Sequence, residues 1–130
     1  AGHLTSYDYK TYDFNYEKSF TWDGDKLIEY GRSDSSSKRR ISYGNQTCKG
    51  YFPLIAFPEL VIVDDDQHLF LTNPELVGMK TNQLPVKAVD GDTTEEYAYT
   101  FTNGGYIKTC TITEKWDGHV KKTTWTFDWK

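Results

Sequence analysis

From Tyr97 to Trp129 the chain alternates between aromatic or aliphatic residues and threonines, the two-residue period of strands with one buried and one wet face. Tyr97, Tyr99 and Phe101 alternate with Ala98, Thr100 and Thr102. Asn103-Gly104 then supplies a pair that tolerates positive φ at both central positions of a type I′ hairpin turn. With that pair as a two-residue loop, Phe101 faces Tyr106, Tyr99 faces Lys108 and Tyr97 faces Cys110. Asp117-Gly118 predicts a second hairpin, with Trp116 opposite His119, Ile112 opposite Thr123, Cys110 opposite Trp125, Lys108 opposite Phe127 and Tyr106 opposite Trp129. The two registers agree on the faces: the aromatic residues, Cys110 and Ile112 share one, the threonines the other, and Ile107 is the apolar exception. An antiparallel meander follows, with Cys110 buried between Tyr97 and Trp125 and an exposed threonine face.

The first part of the chain alternates too. Tyr7 and Tyr9 lead, the phase changes, and Tyr12, Phe14, Tyr16, Phe20 and Trp22 follow, as one long bulged strand or two shorter ones. An Asp23-Gly24 loop sets Phe20 opposite Leu27 and Lys18 opposite Glu29, an apolar pair and an opposite-charge pair. Leu27 to Gly31 and Arg40 to Tyr43 read as further strands on either side of the Ser33–Ser37 loop.

The period breaks between Gly50 and Val63, where dense apolar residues are interrupted by Pro53 and Pro58; this predicts an irregular crossing segment that plugs the core. Asp64-Asp65-Asp66 reads as a solvated turn, since it lacks the alternating ligands and mid-loop glycine of a calcium loop. Thr72 or Asn73 as cap, Pro74, Glu75 and Gly78 predict one short helix at residues 74–77. The expectation for residues 1–130 is a single all-β, mainly antiparallel domain, either a curved meander sheet or a partly open barrel.

Composition sharpens this picture. Aromatics make up 16% of the 130 residues, with ten Tyr, which favours strands. A net charge of −4 argues against a general nucleic-acid binder, which needs a basic surface. Lys38-Arg39-Arg40, the one basic cluster, reads as a solvated strand end. No run is long and apolar enough for a membrane-spanning helix. Cys48 and Cys110 leave two possibilities open, buried free thiols or a disulfide.

Candidate chemistry is sparse. His3, His68 and His119 share no metal-ligand spacing, there is no Cys-x-x-Cys, no glycine-rich phosphate loop and no Gly-x-Ser-x-Gly elbow. No catalytic, cofactor or metal residue is assigned, and the sequence leaves the ligand-binding residues unknown. Asn45-Gln46-Thr47 fits the glycosylation acceptor pattern, a short motif that matters only in a eukaryotic secretory setting. The remaining binding feature is aromatic: any of Tyr7, Tyr9, Tyr12, Tyr16, Tyr30 and Trp116 on a wet face offers a ring to a sugar or a protein partner.

Phe20-Thr21-Trp22-Asp23-Gly24-Asp25-Lys26-Leu27 and Tyr99-Thr100-Phe101-Thr102-Asn103-Gly104-Gly105-Tyr106-Ile107 resemble degenerate tyrosine-aspartate hairpins of the Rhs type. Asn73-Pro74-Glu75-Leu76-Val77-Gly78, then Asn82-Gln83-Leu84-Pro85 and a closing aromatic meander, resembles a family of uncharacterised secreted lipoprotein domains of gut Bacteroidetes with a porin-like fold. The resemblance implies an exported, periplasmic or cell-surface domain, lipid-anchored upstream of residue 1, with no assigned activity. The expected role is non-catalytic binding of a glycan or protein; a small hydrolase acting on an extracellular polymer, or a purely structural role in assembly, are the alternatives.

Overall fold

The computed structural model describes residues 3–13, 15–50 and 83–130. Eight strands run through these segments: β1 (Ser6–Lys10), β2 (Asn15–Asp23), β3 (Lys26–Arg32), β4 (Arg39–Thr47), β5 (Gln83–Asp90), β6 (Thr93–Phe101), β7 (Ile107–Trp116) and β8 (His119–Thr126). They lie in one sheet in chain order, each antiparallel to its neighbours, and among the described residues the sheet does not close. The all-β meander is therefore as expected, and the first segment divides into two strands. The helix expected at residues 74–77, the crossing segment through Pro53 and Pro58, the Asp64–Asp66 turn and His68 lie outside the described residues.

The hairpin at Asp117-Gly118 forms as the sequence predicts. Asp117 and Gly118 both take positive φ, 45° and 75°, and Trp116 pairs with His119, Ile112 with Thr123 and Cys110 with Trp125. The hairpin at Asn103-Gly104 does not. Its loop has three residues, with Gly105 at φ 90° and a Gly105 N–H bond to the Thr102 carbonyl, the geometry of a turn closed by a glycine bulge. A further residue, Lys108, bulges out of β7, because Thr100 pairs with Thr109 while Phe101 pairs with Ile107. The two extra residues move the register by two positions: Tyr99 faces Cys110, and Tyr97 faces Ile112. A shift of two preserves the faces, so Cys110 is buried as expected but lies between Tyr99 and Trp125. The bulge also resolves the Ile107 exception by turning that side chain onto the core face, where it is buried.

The first hairpin is corrected in the same way. Its loop is Gly24-Asp25, with Gly24 at φ 59° and Asp23 paired with Lys26, and Ile28 bulges between Thr21↔Glu29 and Trp22↔Leu27. Phe20 therefore faces Tyr30, and Lys18 faces Arg32 where Glu29 was expected. A third bulge, at Val86, accommodates Pro85 inside β5, where a missing N–H would otherwise break the ladder.

The core collects Phe20, Leu27, Tyr30, Ile41, Leu84, Ala88, Tyr97, Ile107, Cys110 and Ile112 on one face. On the other face threonine hydroxyls pair across strands, Thr100 with Thr109 at 2.6 Å and Thr111 with Thr124 at 3.1 Å. Burial fades toward β8, the edge strand: Trp125 faces buried Cys110 yet is 39% exposed. One seam interrupts the sheet. β3 and β4 pair at two positions, Glu29↔Arg40 and Tyr30↔Arg39, against eight between β7 and β8.

Candidate functional site

At that seam the chain leaves the ladder from Gly31 to Lys38. The loop is anchored to β2: the Ser33 N–H donates to the Glu17 carbonyl at 2.8 Å, and the Glu17 N–H donates to Ser33 Oγ at 2.9 Å. Arg32 Nε and Nη2 donate to the two Asp34 carboxylate oxygens at 2.9 and 2.6 Å, which stiffens the loop at its start. Beneath it opens a cavity of about 290 Å³ bounded by Lys18, Tyr30, Gly31, Arg32, Ser35, Ser37, Arg39 and Asp90.

Two of these walls are buried cations. Lys18 is buried on β2 with its ammonium 5.1 Å from the centre of the Tyr30 ring. Arg39, 3% exposed, crosses β5 to reach β6, where Nη1 and Nη2 donate to Glu95 and Nη2 also donates to the Tyr97 hydroxyl. Burial pulls the Arg39 pKa down, but the hydrogen bonds to Glu95 and the fields of Tyr30, Tyr97 and Glu95 outweigh it, so the guanidinium stays charged. Its Nε–H is buried and has no acceptor among the described residues. Arg32, the third cation, faces Lys18 directly across the β2–β3 ladder and lies 3.8 Å over the Tyr16 ring.

Chemically the cavity offers guanidinium, ammonium and hydroxyl donors, hydroxyl and carboxylate acceptors, and a buried Tyr30 beside them. That inventory can both donate to and accept from hydroxyl groups. Among the described residues the cavity wall presents one carboxylate, Asp90, where glycoside hydrolysis uses two carboxyl groups on either side of the bond. Glu95 is engaged by Arg39 and by the Tyr97 hydroxyl, which donates to it at 2.6 Å. Among the described residues no three His, Cys, Asp or Glu side chains cluster as a metal site.

The basic cluster Lys38-Arg39-Arg40 is only partly a solvated strand end. Lys38 and Arg40 are exposed and both pair with Glu29, whereas Arg39 is buried. The signal was available in the period: Arg39 shares its phase with Ile41, and Arg40 with Ser42. Of the aromatic candidates, the Tyr9 side chain lies outside the described residues; of the other five, Tyr16 and Tyr30 are buried, Tyr7 packs against the core, Trp116 stacks on His119 at 5.6 Å, and Tyr12 is fully exposed. Tyr30 is the one that reaches the cavity. Cys48 and Cys110 are both free and buried, so no disulfide joins them, and burial pushes the Cys110 thiol up to about 11 and raises that of Cys48. No helix among the described residues is long and apolar enough to cross a membrane.

No family model and no curated protein matches the chain. Among solved structures it is similar to a porin-like protein from Bacteroides uniformis, at 15% identity and a TM-score of 0.49, over 95% of this chain and 63% of that one. The chain thus spans less than two thirds of that protein's length.

Proposed function

We propose that this chain is a non-catalytic binding domain of the cell envelope, exported and lipid-anchored in its full-length form, that holds a sugar unit of a glycan in the cavity at the β3–β4 seam. The observation that carries the reading is the wall itself: buried Lys18, Tyr30 and Arg39, with Ser35, Ser37 and Asp90, converge on about 290 Å³. Ligand sites run from roughly 300 to 1,000 Å³, so this one suits a single small ring. Its polar groups pair donors with acceptors, as sugar hydroxyls require, and the single carboxylate favours binding over hydrolysis. Envelope placement and the anchor rest on the resemblance of the hairpin and Asn73–Pro85 motifs.

A glycan array tests the reading. The wild-type protein is expected to retain at least one class of saccharide, and Ser37→Trp, which fills the cavity from an exposed loop position, is expected to lose it. A blank array, or hits unaffected by Ser37→Trp, removes the proposal.

A further inference from the structure

We infer that the open edge of β8 takes up an added strand from a protein partner, an extended acidic segment that pairs antiparallel along residues 120–126, independently of the seam cavity. β8 ends the sheet and pairs with β7 alone among the described residues. The Phe127 N–H donates to the Lys108 carbonyl at 2.9 Å. Backbone direction alternates residue by residue along an antiparallel ladder, so Lys121, Thr123 and Trp125 turn their N–H and C=O groups to β7, and Val120, Lys122, Thr124 and Thr126 turn theirs outward. That outward row has no partner among the described residues and is the template that strand addition uses. β1, the opposite edge, is shorter, with five residues against eight.

The side chains of β8 state which strand fits. In a chain of net charge −4, this strand carries two lysines and no acid. Lys121 and Lys122 are both exposed, and neither closes an ion pair among the described residues. Lys122 faces Thr113; Lys121 faces Glu114, which offsets part of its charge. Edge lysines oppose undirected pairing, and antiparallel contact between the β8 edges of two copies gathers the lysines of both into one ladder. The same charges attract a strand that places carboxylates opposite them, so rejection of the wrong partner and selection of the right one are a single device.

Lys121 and Lys122 project from opposite faces, which calls for two consecutive acids. Val120, 61% exposed, and Trp125 flank them with apolar surface, one on each face. An antiparallel segment that reads apolar residue, two further residues, two acids, apolar residue sets its acids against Lys122 and Lys121 and its apolar residues against Trp125 and Val120.

The probe is the peptide Thr-Val-Thr-Thr-Glu-Glu-Val-Thr, compared with its Gln-Gln counterpart by amide NMR titration of the whole chain. The acidic peptide is expected to bind about fivefold or more tightly, as two exposed charge pairs allow, and to weaken with rising salt. Its binding is expected to shift the amides of Val120, Lys122, Thr124 and Thr126 and slow their exchange. Lys121→Gln with Lys122→Gln is expected to abolish the preference between the peptides. Thr124→Pro, which removes an N–H that β7 does not use, is expected to keep the fold, checked by melting temperature, and to lose both peptides. Equal affinity of the two peptides overturns the acidic selectivity. Absence of binding by both at millimolar concentration, or shifts confined to other strands, overturns strand addition at β8. A concentration-dependent dimer of the wild type that protects the same amides assigns the edge to a second copy and overturns the acidic partner.

Discussion

Arg39 of β4 and Glu95 of β6 form a bidentate ion pair that crosses β5, with Nη2 to Oε2 at 2.5 Å and Nη1 to Oε1 at 3.2 Å. The crossing is possible because the β5 residue in register with Glu95 is Ala88, small and buried. Breaking one half of a buried pair leaves the other charge without compensation, at about 3–5 kcal/mol. Glu95→Gln is accordingly expected to destabilise by that amount in urea denaturation. The double variant Arg39→Met with Glu95→Leu is expected to recover much of the loss. Additive single and double effects would contradict the pairing.

Alkaline pH is expected to destabilise the fold through its buried thiol and phenols. The folded-state pKa of Cys110 is raised by burial to about 11, against an ordinary 9.0, and burial likewise raises Tyr43, Tyr97 and Tyr99 above 10.0. A raised folded pKa means that the unfolded chain releases these protons first. The stability they contribute is complete below pH 9 and is lost as pH rises through the folded values. A melting temperature level up to that pH and falling steadily above it is the expected profile; a flat profile to pH 11 removes the argument.

The three-residue loop before β7 assigns unequal roles to its residues. Gly105 sits at φ 90°, so Gly105→Ala is expected to lose about 1 kcal/mol or more. Asn103 does not adopt positive φ, and Asn103→Ala is expected to stay within about 0.5 kcal/mol. A two-residue type I′ loop demands the opposite order, so the pair of denaturation curves distinguishes the two geometries.

Gly44 is constrained by space. A Cβ there would approach Val86 Cγ1 to 2.7 Å, the side chain that the β5 bulge turns toward it. Gly44→Ala is expected to cost about 1–3 kcal/mol, as overpacking does. Val86→Ala, at a partly exposed position, is expected to rescue it, and absence of rescue would place the strain elsewhere.

Strand identity and face were legible in the sequence because both follow from a two-residue period, which survives any even shift. Cys110 fell on the buried side although its partner is Tyr99 and not Tyr97. The bulges at Ile28, Val86 and Lys108 were not legible: a bulge consumes one residue without changing composition, and its trace is an apolar residue out of phase. Ile107 was that trace. Arg39 read as exposed for another reason: a run of three charges suggests solvent, and that outweighed the phase Arg39 shares with Ile41. The cavity depends on Lys18, Arg39 and Asp90 from distant strands, a convergence no local pattern encodes.

The ladder between β3 and β4 has two paired positions, so β1–β3 and β4–β8 are expected to open as two units despite the core they share. Amide hydrogen exchange follows the weakest joint, so Tyr30 and Arg39 are expected to exchange by a sub-global opening well below the barrier that protects β7. Lys18 and Arg32 belong to one unit, Arg39 and Asp90 to the other. A ligand that touches both sides acts as a staple, slowing exchange at the joint while leaving the interior of each unit unchanged.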